Sequence, residues 1–232
     1  PMSDFSSKLL IEGQLITLSA ASASAFDGRV AADLTYHRER QDGHIRLHLH
    51  DAAFGEMLTK LSSKPDKELR LVGGRLSGAI NATYSPGETA TTLIGNGHVQ
   101  LRDGSLWSVP LLSEFMVILD KWIPAGDLAK ISELDASLAF EGDKVSTTDL
   151  RTNGTLVAIS GEGSYEWASR KPDMILRAEP LKTFFGEFRF KVPFLSNILD
   201  SPFSILLERR LTGTIDEPEW QSIRNVFADR KK

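Results

Sequence analysis

The feature that most constrains this chain is an alternation of apolar and polar side chains with period two, cut at short intervals by turn dipeptides. In an extended chain successive side chains point to opposite faces, so this period marks strands with one apolar face. Ile45, Leu47 and Leu49 alternate with His44, Arg46, His48 and His50, and Leu76 and Ile80 with Arg75, Ser77, Ala79 and Asn81. Val99 and Leu101 alternate with His98, Gln100 and Arg102, and Ala136, Leu138 and Phe140 with Asp135, Ser137, Ala139 and Glu141. Between such runs fall Asp27-Gly28, Asp42-Gly43, Pro86-Gly87, Asp103-Gly104, Gly142-Asp143 and Asn153-Gly154. These dipeptides supply the positive φ of tight hairpins. The pattern predicts a mainly β chain, an antiparallel sheet joined by hairpins, with Ile45, Leu47, Leu49, Leu76, Ile80, Val99, Leu101, Leu138 and Phe140 on its apolar inner face.

Two or three short amphipathic helices are expected to pack on or cap this sheet. The first runs from Asp51, as N-cap, through Phe54, Met57, Leu58 and Leu61 to a stop at Pro65. The second carries Leu111, Leu112, Phe115, Met116, Ile118, Leu119 and Trp122 on a wide apolar stripe ended by Pro124. Its polar face lacks the Lys and Arg of an interfacial membrane helix. A third covers residues 194–199. The surrounding segment, 181–207, holds six of the twelve phenylalanines, which reads either as an aromatic cap or as an exposed lip that contacts a lipid or a partner.

Composition excludes several classes of chemistry. The absence of cysteine rules out disulfides, thiolate metal sites and cysteine nucleophiles. A net charge of -4 without a basic stripe argues against a nucleic-acid partner. His44, His48 and His50 share a strand face, but no carboxylate interleaves with them and Arg46 sits among them, so they are read as solvent-facing and not as metal ligands. The run from Gly73 to Gly78 has neither the spacing nor the lysine of a phosphate loop, and no nucleophile elbow occurs. The acidic groups Asp33 and Glu39, and Asp216, Glu217 and Glu219, read as solvated surface. No cofactor, metal or catalytic residue is expected. No apolar run reaches the roughly 18 residues of a membrane-spanning helix, and residues 1–8 carry no signal pattern. A chain that opens with Pro1 directly before a strand-like run, Leu9 to Ile11, is expected to be a fragment of something longer.

One stretch is more specific than any catalytic motif. Gly95-Asn-Gly97-His-Val99-Gln-Leu101-Arg-Asp103-Gly104-Ser-Leu106-Trp-Ser-Val109-Pro110-Leu111-Leu112-Ser-Glu-Phe115 resembles the C-terminal region of AsmA-like proteins (the AsmA/TamB type), where a strand ending in Asp-Gly precedes a short strand, Pro-Leu-Leu and an amphipathic helix. Leu138-Ala-Phe140-Glu-Gly142-Asp-Lys-Val145, Asp149-Leu150, Thr155-Leu-Val157 and Gly161-Glu-Gly163-Ser-Tyr165 look like the family's next meander. Gly74-Arg75-Leu76-Ser77-Gly78 suits it upstream, and Leu211-Thr-Gly213-Thr-Ile215-Asp-Glu-Pro218-Glu-Trp220 resembles its closing strand and Pro-Trp tail. The resemblance is clearest over 71–220.

What the resemblance implies is one elongated, curved β-groove over residues 1–232, the C-terminal part of a periplasmic cell-envelope protein with an inner-membrane anchor upstream. Such proteins are implicated in moving phospholipid between inner and outer membranes and in outer-membrane biogenesis. The expected ligand is then a phospholipid or other acyl lipid, with envelope proteins as further partners. An acyl chain needs only continuous apolar surface, and a wall of Leu, Ile, Val and Ala supplies it. A structural β-scaffold that docks protein partners is the alternative from another class. An enzyme of the carbohydrate-active kind ranks third, since it would want paired carboxylates beside aromatic platforms.

Overall fold

A computed structural model describes residues 3–61, 73–86, 91–104, 133–153, 157–180, 208–214 and 217–223. Twelve strands occupy 81% of them, so the chain is mainly β. In order these are β1 (Ser3–Glu12), β2 (Leu15–Ala25), β3 (Gly28–His37), β4 (Asp42–Ala53), β5 (Arg75–Pro86), β6 (Thr91–Arg102), β7 (Glu133–Gly142), β8 (Lys144–Asn153), β9 (Val157–Glu166), β10 (Lys171–Pro180), β11 (Glu208–Gly213) and β12 (Pro218–Ser222). They pair strictly in sequence order into one open antiparallel sheet with β1 and β12 at its edges.

The hairpins close as the turn residues require, though not always at the expected residue. The β7–β8 loop has positive φ at Gly142, as Gly-Asp predicts. The β2–β3 loop instead places positive φ on Phe26 and Asp27, while Gly28 already belongs to the strand. Gly28 is there for space, because a Cβ on it would lie 2.6 Å from the His50 carbonyl oxygen. Gly43 has a similar role: the β3–β4 loop puts its positive φ on Gln41, and a Cβ on Gly43 would strike the Thr35 carbonyl and Tyr84. With no side chain at Gly43, Tyr36 and Tyr84 stack across it, ring centroids 6.2 Å apart. Burial is the first cause of a raised Tyr84 pKa, and the Tyr36 phenol beside it the second.

Three bulges keep the apolar face continuous where the sequence changes parity. In β2 the inward set passes from Ile16 and Leu18 to Ala21, Ala23 and Ala25, in β4 from Leu49 to Ala52, and in β8 from Val145 and Thr147 to Leu150 and Thr152. One extra residue at each switch restores the register that a simple alternation would lose. A neighbouring strand stabilises each bulge. The Ala20 amide donates to Asp33 Oδ1 at 3.0 Å, and the Asp51 amide to Ser77 Oγ at 3.0 Å. Asp149 takes both the Ser137 amide, at 2.8 Å, and the Ser137 hydroxyl, at 2.7 Å.

One helix, α1 (Phe54–Leu61), lies among the described residues, where two or three were expected. The other expected spans, 111–122 and 194–199, fall outside them. Asp51 is not the N-cap of α1. It sits at the β4 bulge with φ 56°, and the strand runs on to Ala53 because Ala52 is wholly buried on the apolar face.

Candidate functional site

Direct cross-strand partners share a face, so the register shows where each predicted inner-face residue lies. Four rows cross β4 to β7: Ile45–Ala82–Gly95–Phe140, Leu47–Ile80–Gly97–Leu138, Leu49–Gly78–Val99–Ala136 and Ala52–Leu76–Leu101–Leu134. All nine predicted residues stand in these rows, on one face. Each row mixes large aliphatic or aromatic side chains with Gly or Ala, so the surface is uneven.

Over Gly78 the unevenness becomes an apolar depression of about 160 Å³. Leu47, Leu49, Leu76, Ile80, Val99 and Leu138 form its walls, six of the nine predicted residues. The depression is open on one side and its surface is almost wholly apolar, so it offers a short apolar segment contact without polar partners. The other three differ in setting: Leu101 is 1% exposed and Phe140 7%, both packed in the sheet, and Ile45 is half-buried. Leu101 is the one large apolar side chain in β4–β7 that is fully enclosed.

The face continues in both directions. Towards β1, Ile45 stands opposite Leu34, which pairs with Leu18, and Leu18 pairs with Leu9. On the far side Phe140 meets Val145 and Leu134 meets Thr152. Beyond β7 its chemistry changes. Thr147 and Thr152 are buried there, followed by Ile159, Gly161, Leu176, Ala178, Leu211, Trp220 and Arg209. Thr152 Oγ1 accepts the Ile159 amide at 3.0 Å, so its burial is compensated. Alternation does not mark this half in the sequence, because Thr and Gly interrupt the apolar period and the β8 bulge reverses its parity.

The opposite face is polar and holds the charge pairs. Arg177 donates to Glu162 and Glu208 at 2.8 Å each, and Arg210 forms a two-pronged pair with Asp173 at 2.8 Å. The Arg210 fork holds the Asp173 pKa below the usual carboxylate range, and the Ser137 hydroxyl does the same for Asp149. His44, His48 and His50 stand on this face with Arg46 between them, and the His44 ring bonds Asn81 Oδ1. Among the described residues no three His, Asp or Glu side chains converge on a common point. Asp33, read from the sequence as solvated surface, secures the β2 bulge by accepting the Ala20 amide. Among the described residues no helix is long and apolar enough to cross a membrane.

Comparison of the chain with family models, curated proteins and solved structures returns no match.

Proposed function

We propose that this chain is a non-enzymatic module that holds or conducts the acyl chains of phospholipid along its apolar face. The observation that carries this reading is the apolar depression over Gly78, walled by Leu47, Leu49, Leu76, Ile80, Val99 and Leu138 within a face that continues over neighbouring strands. Each methylene shielded there gains about 0.8 kcal/mol, so a few methylenes are held without a directed hydrogen bond. A shallow, non-polar surface also suits passage, since no position on it traps the chain by specific polar contacts. With the AsmA-like pattern over 71–220, the reading extends to an elongated groove in a periplasmic protein of the cell envelope, anchored upstream in the inner membrane and acting in outer-membrane biogenesis. Mass spectrometry of material extracted from the purified chain tests it. Copurified phospholipid at a defined stoichiometry supports the proposal, and protein that stays lipid-free after incubation with phospholipid vesicles contradicts it.

A second reading, a scaffold that docks proteins, is favoured by one observation. Edge strand β1 is exposed along its whole length, and Phe5, Leu9, Leu10 and Ile11 are each more than half exposed. Long apolar edges recruit further strands. Replacing Leu10 with Lys separates the readings, because it blocks strand addition and leaves the depression untouched.

A further inference from the structure

We infer that Arg209 receives the oxyanion headgroup of an amphiphile whose chain lies on the apolar face, an inference that rests on the lipid-binding reading above. Arg209 stands on that face near the far edge of the sheet, opposite Leu176 on β10 and Ser222 on β12. Two residues along β11 is Leu211, 1% exposed, paired with Trp220. The Arg209 side chain is half-buried, and a charge drawn towards an apolar face is costly unless it is paired.

The carboxylates nearest in sequence and register do not serve it. Its neighbours Glu208 and Arg210 project to the other face, where Glu208 pairs with Arg177 and Arg210 with Asp173. Arg209 Nε is buried and donates to no acceptor among the described residues. The two terminal nitrogens of the same planar guanidinium fit two oxygens of a phosphate or carboxylate. Trp220, one register step away on the same face, adds the amphipathic ring that suits a headgroup boundary. The apolar face would then have polarity along its length, with chain-binding aliphatic rows over β4–β7 and a cationic end at β11.

The test titrates the 232-residue chain, below micelle-forming concentrations, with dodecyl phosphate, laurate, dodecyl maltoside and inorganic phosphate. Dodecyl phosphate is expected to bind roughly tenfold or more tightly than the maltoside, the ratio typical of a gained charge-assisted pair. Arg209→Gln should abolish that preference and leave maltoside binding unchanged. Laurate binding as tightly as dodecyl phosphate supports the inference with a carboxylate as the oxyanion. Equal affinity for the anionic and neutral probes in the unaltered chain, or a preference that survives Arg209→Gln, overturns the inference and leaves the lipid-binding reading standing. Inorganic phosphate alone binding as tightly as dodecyl phosphate also overturns it, since the site is then one for free phosphate. If no amphiphile binds at all, both readings fall. Should Arg209→Gln not fold, Arg209→Lys decides: a several-fold weaker affinity for dodecyl phosphate supports the role of the fork, and an unchanged one overturns it.

Discussion

The apolar face has two halves built to different rules. Across β4–β7 it consists of Leu, Ile, Val and Phe set against Gly and Ala, and the mismatch in size leaves a depression over Gly78. Across β8–β12 it includes buried Thr147 and Thr152, two glycines of β9 and one guanidinium; the Thr147 hydroxyl donates to Asp149 Oδ1 within β8, and the Thr152 hydroxyl accepts the Ile159 amide of β9. The first half gains from apolar contact and places no demand on hydrogen bonding. The second depends on polar groups being satisfied, so the same substitution has different consequences in the two halves.

Leu101→Asp gives the largest expected effect. At 1% exposure a carboxylate there has no water and no partner, which costs several kcal/mol against a total domain stability of about 5–15 kcal/mol. Thermal or urea melts should show loss of the cooperative transition. Thr152→Val tests the other half with almost no change in volume. It strips the Ile159 amide of its acceptor and should lower stability by about 1–3 kcal/mol, whereas a neutral result would mean that water reaches that amide.

These contrasts show what the sequence could disclose. All nine inner-face residues and the antiparallel hairpin order follow from strict alternation, which is strongest in β4–β7. The β8–β12 half was not legible as part of the same face, because Thr147, Gly161 and Gly163 carry no apolar signal and the bulge in β8 shifts the inward set from odd to even positions. Asp51 misled for a related reason. An acidic residue before an apolar helical pattern has the composition of an N-cap, yet the buried Ala52 holds the strand one bulge longer. The depression itself was invisible, since it arises from the register that sets Gly78 between Leu49 and Val99 on neighbouring strands.

Smaller effects belong to the polar face. Asp149 and Asp173 have folded-state pKa values lowered by the Ser137 hydroxyl and by Arg210, respectively. Each therefore adds stability that is fully present above the ordinary aspartate range near pH 4 and is lost as pH falls through the lower folded value. Acid titration of Asp149→Ala and Asp173→Asn should show less loss of stability between about pH 4 and 2 than the unaltered chain. A parallel acid profile would mean that these bonds are not held in solution. Smallest of all, replacing His44, His48 and His50 together with Gln should change stability by no more than about 0.5 kcal/mol, with no metal lost on dialysis.

Whether the β4–β7 half is open to an acyl chain is decided by Leu138→Asp. Leu138 is only half-buried and walls the depression, so a carboxylate there keeps access to water. The measurement is phospholipid extracted per mole of chain, taken with a melt, for the unaltered protein and for Leu138→Asp. An open face gives bound lipid in the unaltered chain, little or none in the variant, and a melting transition close to the original. A variant that unfolds as Leu101→Asp does, from a parent in which no lipid is ever found, would show a sealed core and contradict it.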